Sequence, residues 1–437
     1  MGSSSHMSRS SQLFERIVHL ITPVMAPIAG KYVLPLLQQA PARPPFWLRL
    51  VPAVPQLPES KVWPEPDRET PDRLRSGSAI ERDPDAEQAA FEEQPLHYFN
   101  LVHPEAARFS VAQNWPAFLG AARPLLPVLR GYHASRAADD AITTNGAVDT
   151  ERTKEEVTRL IREEAVRLGL STIGFAPYDP KYTFQEFAGQ PHYETVIACI
   201  YEQNWEATQT APSLRSEAAV MRTYVHMLPR VVALANYVRS LGYHARPQEM
   251  GGEMVNIHYC VAAGLGQLGL NGQLLTPEAG SRCRLMAITT NAPVVFDEPV
   301  DYGIQTICDE CQVCVKRCPV GAIPKTRKFN RGVMKAKINL ERCLPTVSQA
   351  HGCAICMKVC PVQRYGLDKV KSHFMETGEI LGKGSDELEG YEWPLDEKFY
   401  GASEKPRITG SFTRPLPLVN WDSQRKVPRA ESATDSK

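Results

Sequence analysis

The chain lacks net charge. Its 437 residues carry 49 basic and 49 acidic side chains. Without a basic field to hold a polyphosphate, nucleic acid is not expected as a main partner. A long hydrophobic run is also missing. No stretch of about 18 uncharged apolar residues occurs, so no integral membrane segment is expected. The nearest approach, Ile17 to Leu37, is interrupted by Pro23, Pro27 and Pro35 and contains Lys31. It reads as a proline-broken helix packed on the protein body, with peripheral membrane association as the second reading. No twin-arginine pair precedes an apolar stretch, so the expected compartment is a reducing cytoplasm. There the 11 cysteines are expected to be metal ligands or redox groups rather than disulfides.

What is present is an ordinary globular composition, 43% hydrophobic and 22% charged, long enough for two to three domains. Half of the 36 prolines precede residue 150. With the charged stretch Glu59 to Glu93, they predict an irregular N-terminal extension (8–150) of short helices and extended segments that wraps another domain. Ala134 to Thr150 is small and polar and reads as a connector. Regular structure is expected beyond it. Val157, Leu160, Ile161, Ala165, Val166 and Leu168 mark one buried face of a helix over Thr153 to Leu168. Strands are expected at Ser171 to Phe175, Thr195 to Tyr201 and Arg284 to Asn291. A helix spans Ser213 to Leu241, with a break or restart at Pro229. Strands separated by helices predict an α/β layered core over 151–300.

Eight cysteines form two related groups. The first is Cys308, Cys311, Cys314 and Cys318 followed by Pro319; the second is Cys343, Cys353, Cys356 and Cys360 followed by Pro361. The C-x2-C-x2-C-x3-CP spacing is the bacterial ferredoxin signature for [4Fe–4S] clusters. Three thiolates on one tight loop reach three corners of a cubane, and the fourth cysteine points to the neighbouring cluster. The expected ligand sets therefore cross: Cys308, Cys311, Cys314 and Cys360 for one, Cys318, Cys343, Cys353 and Cys356 for the other. The longer gap between Cys343 and Cys353 implies a small insertion. Two structural zinc sites are the competing reading. Cys199, Cys260 and Cys283 sit in apolar stretches and read as buried core thiols.

The run from Ala262 to Gly272 (AAGLGQLGLNG), followed by Leu274 to Arg282 (LLTPEAGSR), a strand and the doubled cysteine motif, resembles the cobalamin-dependent reductive dehalogenases. It is similar, more distantly, to the epoxyqueuosine reductases. Asn236 to Ala245 belongs to the same resemblance, which runs from about Thr153 to about Tyr365. The glycines alone require only close backbone approach or positive φ. Their spacing is not the GxGxxG dinucleotide fingerprint. The resemblance implies a nitroreductase-like α/β (α+β) core over 151–300 and a ferredoxin-like module with two [4Fe–4S] clusters over 301–366. The bound cobalamin is expected base-off, without a protein ligand to cobalt, which agrees with the missing DxHxxG motif. Gly264, Gly266, Gly269, Asn271, Gly272 and Thr276 would border the corrinoid. The C-terminal segment 367–437 contains Trp393, Phe399, Tyr400, Phe412 and Trp421. It would cover the substrate channel or pack on the surface, with a disordered tail from Lys426.

The same resemblance implies reduction of a small organohalide at Co(I), with halogenated phenols the first class to consider. Tyr224 would be the proton donor, and a cation would stabilise its phenolate: Arg282 first, Arg284 second. A polar group from relatives falls near Met250 here, so Glu249, Met250 or Glu253 would occupy that second position. An external ferredoxin or flavin reductase is expected as electron donor. Two alternatives remain: a related reductase of the epoxyqueuosine type, and a corrinoid-free iron–sulfur electron-transfer protein.

Overall fold

The computed structural model describes residues 61–81, 115–141, 152–189, 192–248, 252–330 and 332–406. Ile17 to Leu37, Glu249, Met250, Phe412, Trp421 and the tail from Lys426 lie outside them. Among the described residues, no helix is long and apolar enough to cross a membrane.

The first well-marked element beyond the connector is a helix, α2, Lys154–Arg167; a longer one, α1, Trp115–Asp140, precedes it. The Thr153 hydroxyl caps α2 by accepting from the Glu156 amide at 3.2 Å, and Val157, Ile161 and Ala165 form its buried stripe. Strand β1 (Thr172–Pro177) and strand β2 (Thr195–Glu202) follow. Then come helix α3 (Leu214–Ser240), strand β3 (Ala245–Gln248) and strand β4 (Cys283–Thr290).

The sheet order is β1-β2-β4-β3. Every pairing is antiparallel, with Ile173 opposite Cys199, Ile197 opposite Ile288, and Ala245 opposite Thr290. The core is thus of the α+β kind within the α/β (α+β) class expected from the sequence. Both faces of the sheet are covered. Ile197, Cys199 and Tyr201 meet α2 and α3, while Val196, Ala198 and Ile200 meet Tyr259, Cys260 and Val261 of the helix Asn256–Ala262. That double coverage makes β2 a continuous apolar run and hides its direction from the sequence. Cys199, Cys260 and Cys283 are buried, as core thiols should be.

Two boundaries differ from expectation. Pro229 does not break α3, which runs unbroken for 27 residues. An internal proline costs about 3 kcal/mol. Val231, Leu234 and Val238 are buried on the sheet side, each worth roughly 1.5–3 kcal/mol, and the packed face wins. The connector also begins later than Ala134. Helix α1 continues to Asp140 and lies along α3, with Leu129 and Tyr132 in the core cluster. Small residues permit the approach: the Ser135 hydroxyl donates to Asn236 Oδ1 at 3.0 Å. The buried Asp139 carboxylate accepts from the Ala245 amide and the Tyr193 hydroxyl, both at 2.9 Å.

Residues 61–81 reach both halves of the molecule. Trp63 Nε1 donates to Glu202 at 2.9 Å, while Leu74 is buried in the cysteine-rich half. Residues 367–400 pack into the same apolar core as 302–362, through Val370, Phe374, Tyr391 and Trp393. The C-terminal segment is therefore part of the cysteine-rich unit, with Trp393 inside and Phe399 exposed.

Candidate functional site

The two cysteine motifs fold into matching turns. Cys308 and Cys311 lie on the helix Ile304–Cys311, and Gln312, left-handed at φ 56°, leads into Val313–Arg317 with Cys314. Ala354, also at φ 56°, makes the same step from Cys353 into Ile355–Lys358 with Cys356. Left-handed backbone at a non-glycine residue costs on the order of 1–3 kcal/mol and clusters at ligand-binding loops. Its recurrence at equivalent steps fits two loops bent around a shared kind of centre.

The sulfurs are grouped in the crossed sense. Cys308, Cys311, Cys314 and Cys360 line one small cavity, together with Leu270, Asn271, Leu275, Ile307 and Val362. In the other set, burial pushes the Cys343 thiol up to about 11, with the nearby Cys318 as second cause. Burial likewise raises Cys353 to about 12, followed by the influence of Cys343 and Cys318. Cys356 is raised by burial and then by Cys343, Cys353 and Cys318. Cys314 feels Cys356 as well as Cys308 and Cys360, so the two sets abut. Thiolates at such positions require positive charge among them. Four sulfurs around one cavity suit a cluster of several irons.

The glycine run is used within the chain itself. A side chain at Gly264 would meet the Glu298 carbonyl, and at Gly266 the Leu275 carbonyl; Gly269 lies against Leu275 and Gly272 against Ile338. Asn271 Nδ2 donates to Ser281 Oγ at 3.4 Å, and Thr276 Oγ1 donates to the Gly280 carbonyl at 3.1 Å. The close approach expected of these glycines is present: the neighbour is a backbone carbonyl at Gly264 and Gly266 and a side chain at Gly269 and Gly272. The run knits the α+β core to the cysteine-rich unit, and of the six residues Asn271 faces the first cysteine cavity.

Tyr224 lies on α3, half-buried against the core. The Arg284 guanidinium carbon is 5.4 Å from the centre of its ring, within cation–π range. Arg284 Nη1 donates to the Cys283 carbonyl at 2.9 Å, while its buried Nε has no partner among the described residues. Arg282, the first-ranked cation, is engaged elsewhere. It donates to the Glu202 carboxylate at 2.5 Å and to the Gln203 carbonyl at 2.7 Å. The arginine beside Tyr224 is thus Arg284.

A third group at this place escaped the sequence reading. Glu217 is buried on α3, seven residues before Tyr224, a spacing that puts both on one helix face. Its carboxylate lies against Gly352, one residue before Cys353. Burial pushes the Glu217 carboxyl up to about 7, against the opposing pull of Arg284. Glu253, by contrast, is tied down: it pairs with Arg136 of α1 and accepts from Gln248 Nε2 at 3.2 Å. It fastens α1 to the end of β3.

Residues 307–364 match the family model described as a 4Fe-4S dicluster domain. Over 177 residues the chain is 33% identical to a tetrachloroethene reductive dehalogenase of Sulfurospirillum multivorans, covering 38% of this chain and 35% of that one. A protein of the same name from Desulfitobacterium hafniense is 27% identical over 217 residues, 39% of each chain. An epoxyqueuosine reductase of Lactococcus garvieae is 32% identical over 139 residues, 28% of this chain and 35% of the relative. The matches thus span between a third and two fifths of these relatives' length. In fold, the chain resembles the catabolic reductive dehalogenase NpRdhA, solved with 3-bromo-4-hydroxybenzoic acid. The TM-score is 0.59 at 18% identity, over 79% of this chain and 58% of that one. The chain is a homologue of the reductive dehalogenases, with the epoxyqueuosine reductases as further relatives, and both groups are oxidoreductases.

Proposed function

We propose that this chain is a cobalamin-dependent oxidoreductase of reductive dehalogenase type, acting on a small organohalide and fed by two [4Fe–4S] clusters. The observation that carries the reading is the Tyr224–Arg284 pair, set beside the loop of the second cysteine set through Glu217. The net reaction takes an organohalide, two electrons and one proton to the reduced carbon compound and a halide ion. Cobalamin, when bound base-off, supplies the low-potential metal centre that breaks the carbon–halogen bond. The unpartnered Nε of Arg284 and the buried carboxyl of Glu217 are polar groups that such a ligand would meet, so Tyr224, Glu217 and Arg284 would border it.

Every other role belongs to the protein's own side chains. Cys308, Cys311, Cys314 and Cys360 would hold one cluster, and Cys318, Cys343, Cys353 and Cys356 the other. Electrons would arrive singly from a separate ferredoxin or flavin reductase. Tyr224 gives its hydroxyl proton to the carbon that loses halide. A phenol that gives up its proton is left as an anion, and a guanidinium beside the ring attracts that charge. Arg284 is placed to do this; Arg282, paired with Glu202, is not.

The test is halide release from brominated and chlorinated phenols by anaerobic, cofactor-loaded protein, with Tyr224→Phe alongside. Halide release that falls at least 100-fold in the variant at unchanged cofactor content supports the reading. Halide release that is equal in both proteins removes Tyr224 as donor. No halide from any organohalide, with turnover of an epoxide or other oxygenated substrate instead, favours chemistry of the epoxyqueuosine reductase kind.

A further inference from the structure

Each cysteine motif carries a buried cation that points away from its own loop. Arg317 precedes Cys318, and Lys358 lies between Cys356 and Cys360; both are almost wholly buried. Arg317 donates to the carbonyls of Ala402 at 3.1 Å, Tyr400 at 3.2 Å and Glu404. Its guanidinium carbon stands 4.8 Å from the Tyr391 ring, and the Tyr391 hydroxyl donates back to the Arg317 carbonyl. Lys358 Nζ donates to the carbonyls of Leu388, at 3.2 Å, and Gly390. All of these acceptors belong to one segment, 388–404, which contains the hairpin Tyr391–Trp393 and Lys398–Tyr400. Two independent motifs thus hold the same strap.

Among the described residues, the buried cations at this seam outnumber the buried carboxylates. The nearest carboxylate, Glu389, stands 4.0 Å from Arg317 Nε and also accepts from the Gly384 amide at 2.8 Å. Lys358 has neutral carbonyls as its hydrogen-bond acceptors. Two buried cations therefore face one buried anion, with the exposed carboxylates of Asp386 and Glu387 also acting on Lys358; Tyr391 lies near Arg317 and near the thiols of Cys318 and Cys353. Reduction makes an iron–sulfur cluster more negative, and its potential follows local charge and solvent exposure.

We infer that Arg317 and Lys358 are positioning residues that clamp the 388–404 strap over the cysteine-rich unit and, through their buried charge, raise the reduction potential of the clusters held there. The inference rests on the cluster reading of the cysteines and on no particular substrate. Because Arg317 adjoins Cys318, its larger effect falls on the cluster of the second set.

The experiment is a potentiometric titration of the reconstituted full chain, followed by electron paramagnetic resonance, for wild type, Arg317→Lys and Arg317→Gln. The expected result for Arg317→Gln is a reduced-to-oxidised ratio about tenfold lower at fixed poise, equivalent to ~59 mV for one electron. Arg317→Lys, which keeps the charge, should recover most of that shift. Unchanged potentials in Arg317→Gln, or equal shifts in both variants, would overturn the inference. If Arg317→Gln does not retain iron, Lys358→Met removes the second charge and carries the same test. Wild-type protein without about eight irons would remove the cluster reading itself; eight irons with unmoved potentials would overturn this inference alone.

Discussion

The guanidinium carbon of Arg284 stands 5.4 Å from the ring centre of Tyr224, joining strand β4 to helix α3 at the place where the second cysteine loop also arrives. Arg282, two residues earlier, spends its charge on Glu202. The two arginines therefore separate experimentally. Arg284→Gln should lower turnover while leaving the melting temperature close to wild type. Arg282→Ala removes the cation paired with Glu202, which keeps Trp63 as a donor, and should destabilise the fold, by about 3–5 kcal/mol if the pair behaves as buried pairs do. Paired urea melts and activity assays check both.

The crossed grouping of the cysteines predicts a pattern of iron loss. Cys308→Ala and Cys360→Ala should each lower iron from about eight to about four per chain, and the double variant should lose no more. Combining Cys308→Ala with Cys318→Ala should remove nearly all of it. Iron content after anaerobic reconstitution reads this directly. An uncrossed arrangement would reverse the two double variants.

Glu217 makes the apoprotein's stability pH-dependent. Its carboxyl is raised from the usual 4.5 to about 7 by burial, so the folded state holds a proton that the unfolded state releases. That contribution is complete below about pH 4.5 and is lost as pH rises through 7. Glu217→Gln should therefore gain stability relative to wild type as pH increases from 5 to 8. The gain is on the order of 2–3 kcal/mol, at ~1.4 kcal/mol per pH unit. Urea denaturation at the two pH values measures it, and an equal difference at both would contradict the assignment.

Much of this was legible in the sequence, for identifiable reasons. The helix at Lys154–Arg167 has a capping threonine and a stripe spaced by three and four, and the cysteine spacing encodes a loop geometry directly. Tyr224 came only from the resemblance to the reductive dehalogenases, by its position along α3; its own sequence pattern is that of a packed helix-face aromatic. Strand direction was not legible, because a strand buried on both faces, as β2 is, shows no alternation. The extent of α1 was hidden by Pro124 and Pro127 and by the small polar residues at its end. Those residues read as a connector until α3 is seen beside them. The choice between Arg282 and Arg284 depends on Glu202, 80 residues upstream of Arg282. The glycine run signalled close approach, and within the chain that approach is to carbonyls of Glu298 and Leu275 and to side chains of Leu275 and Ile338.

The most direct measurement is the corrinoid and iron content of protein assembled anaerobically with cobalamin supplied. About one cobalamin and eight irons per chain is the expected result. Eight irons with no retained cobalamin would contradict the cobalamin-dependent reading and leave an iron–sulfur electron-transfer protein.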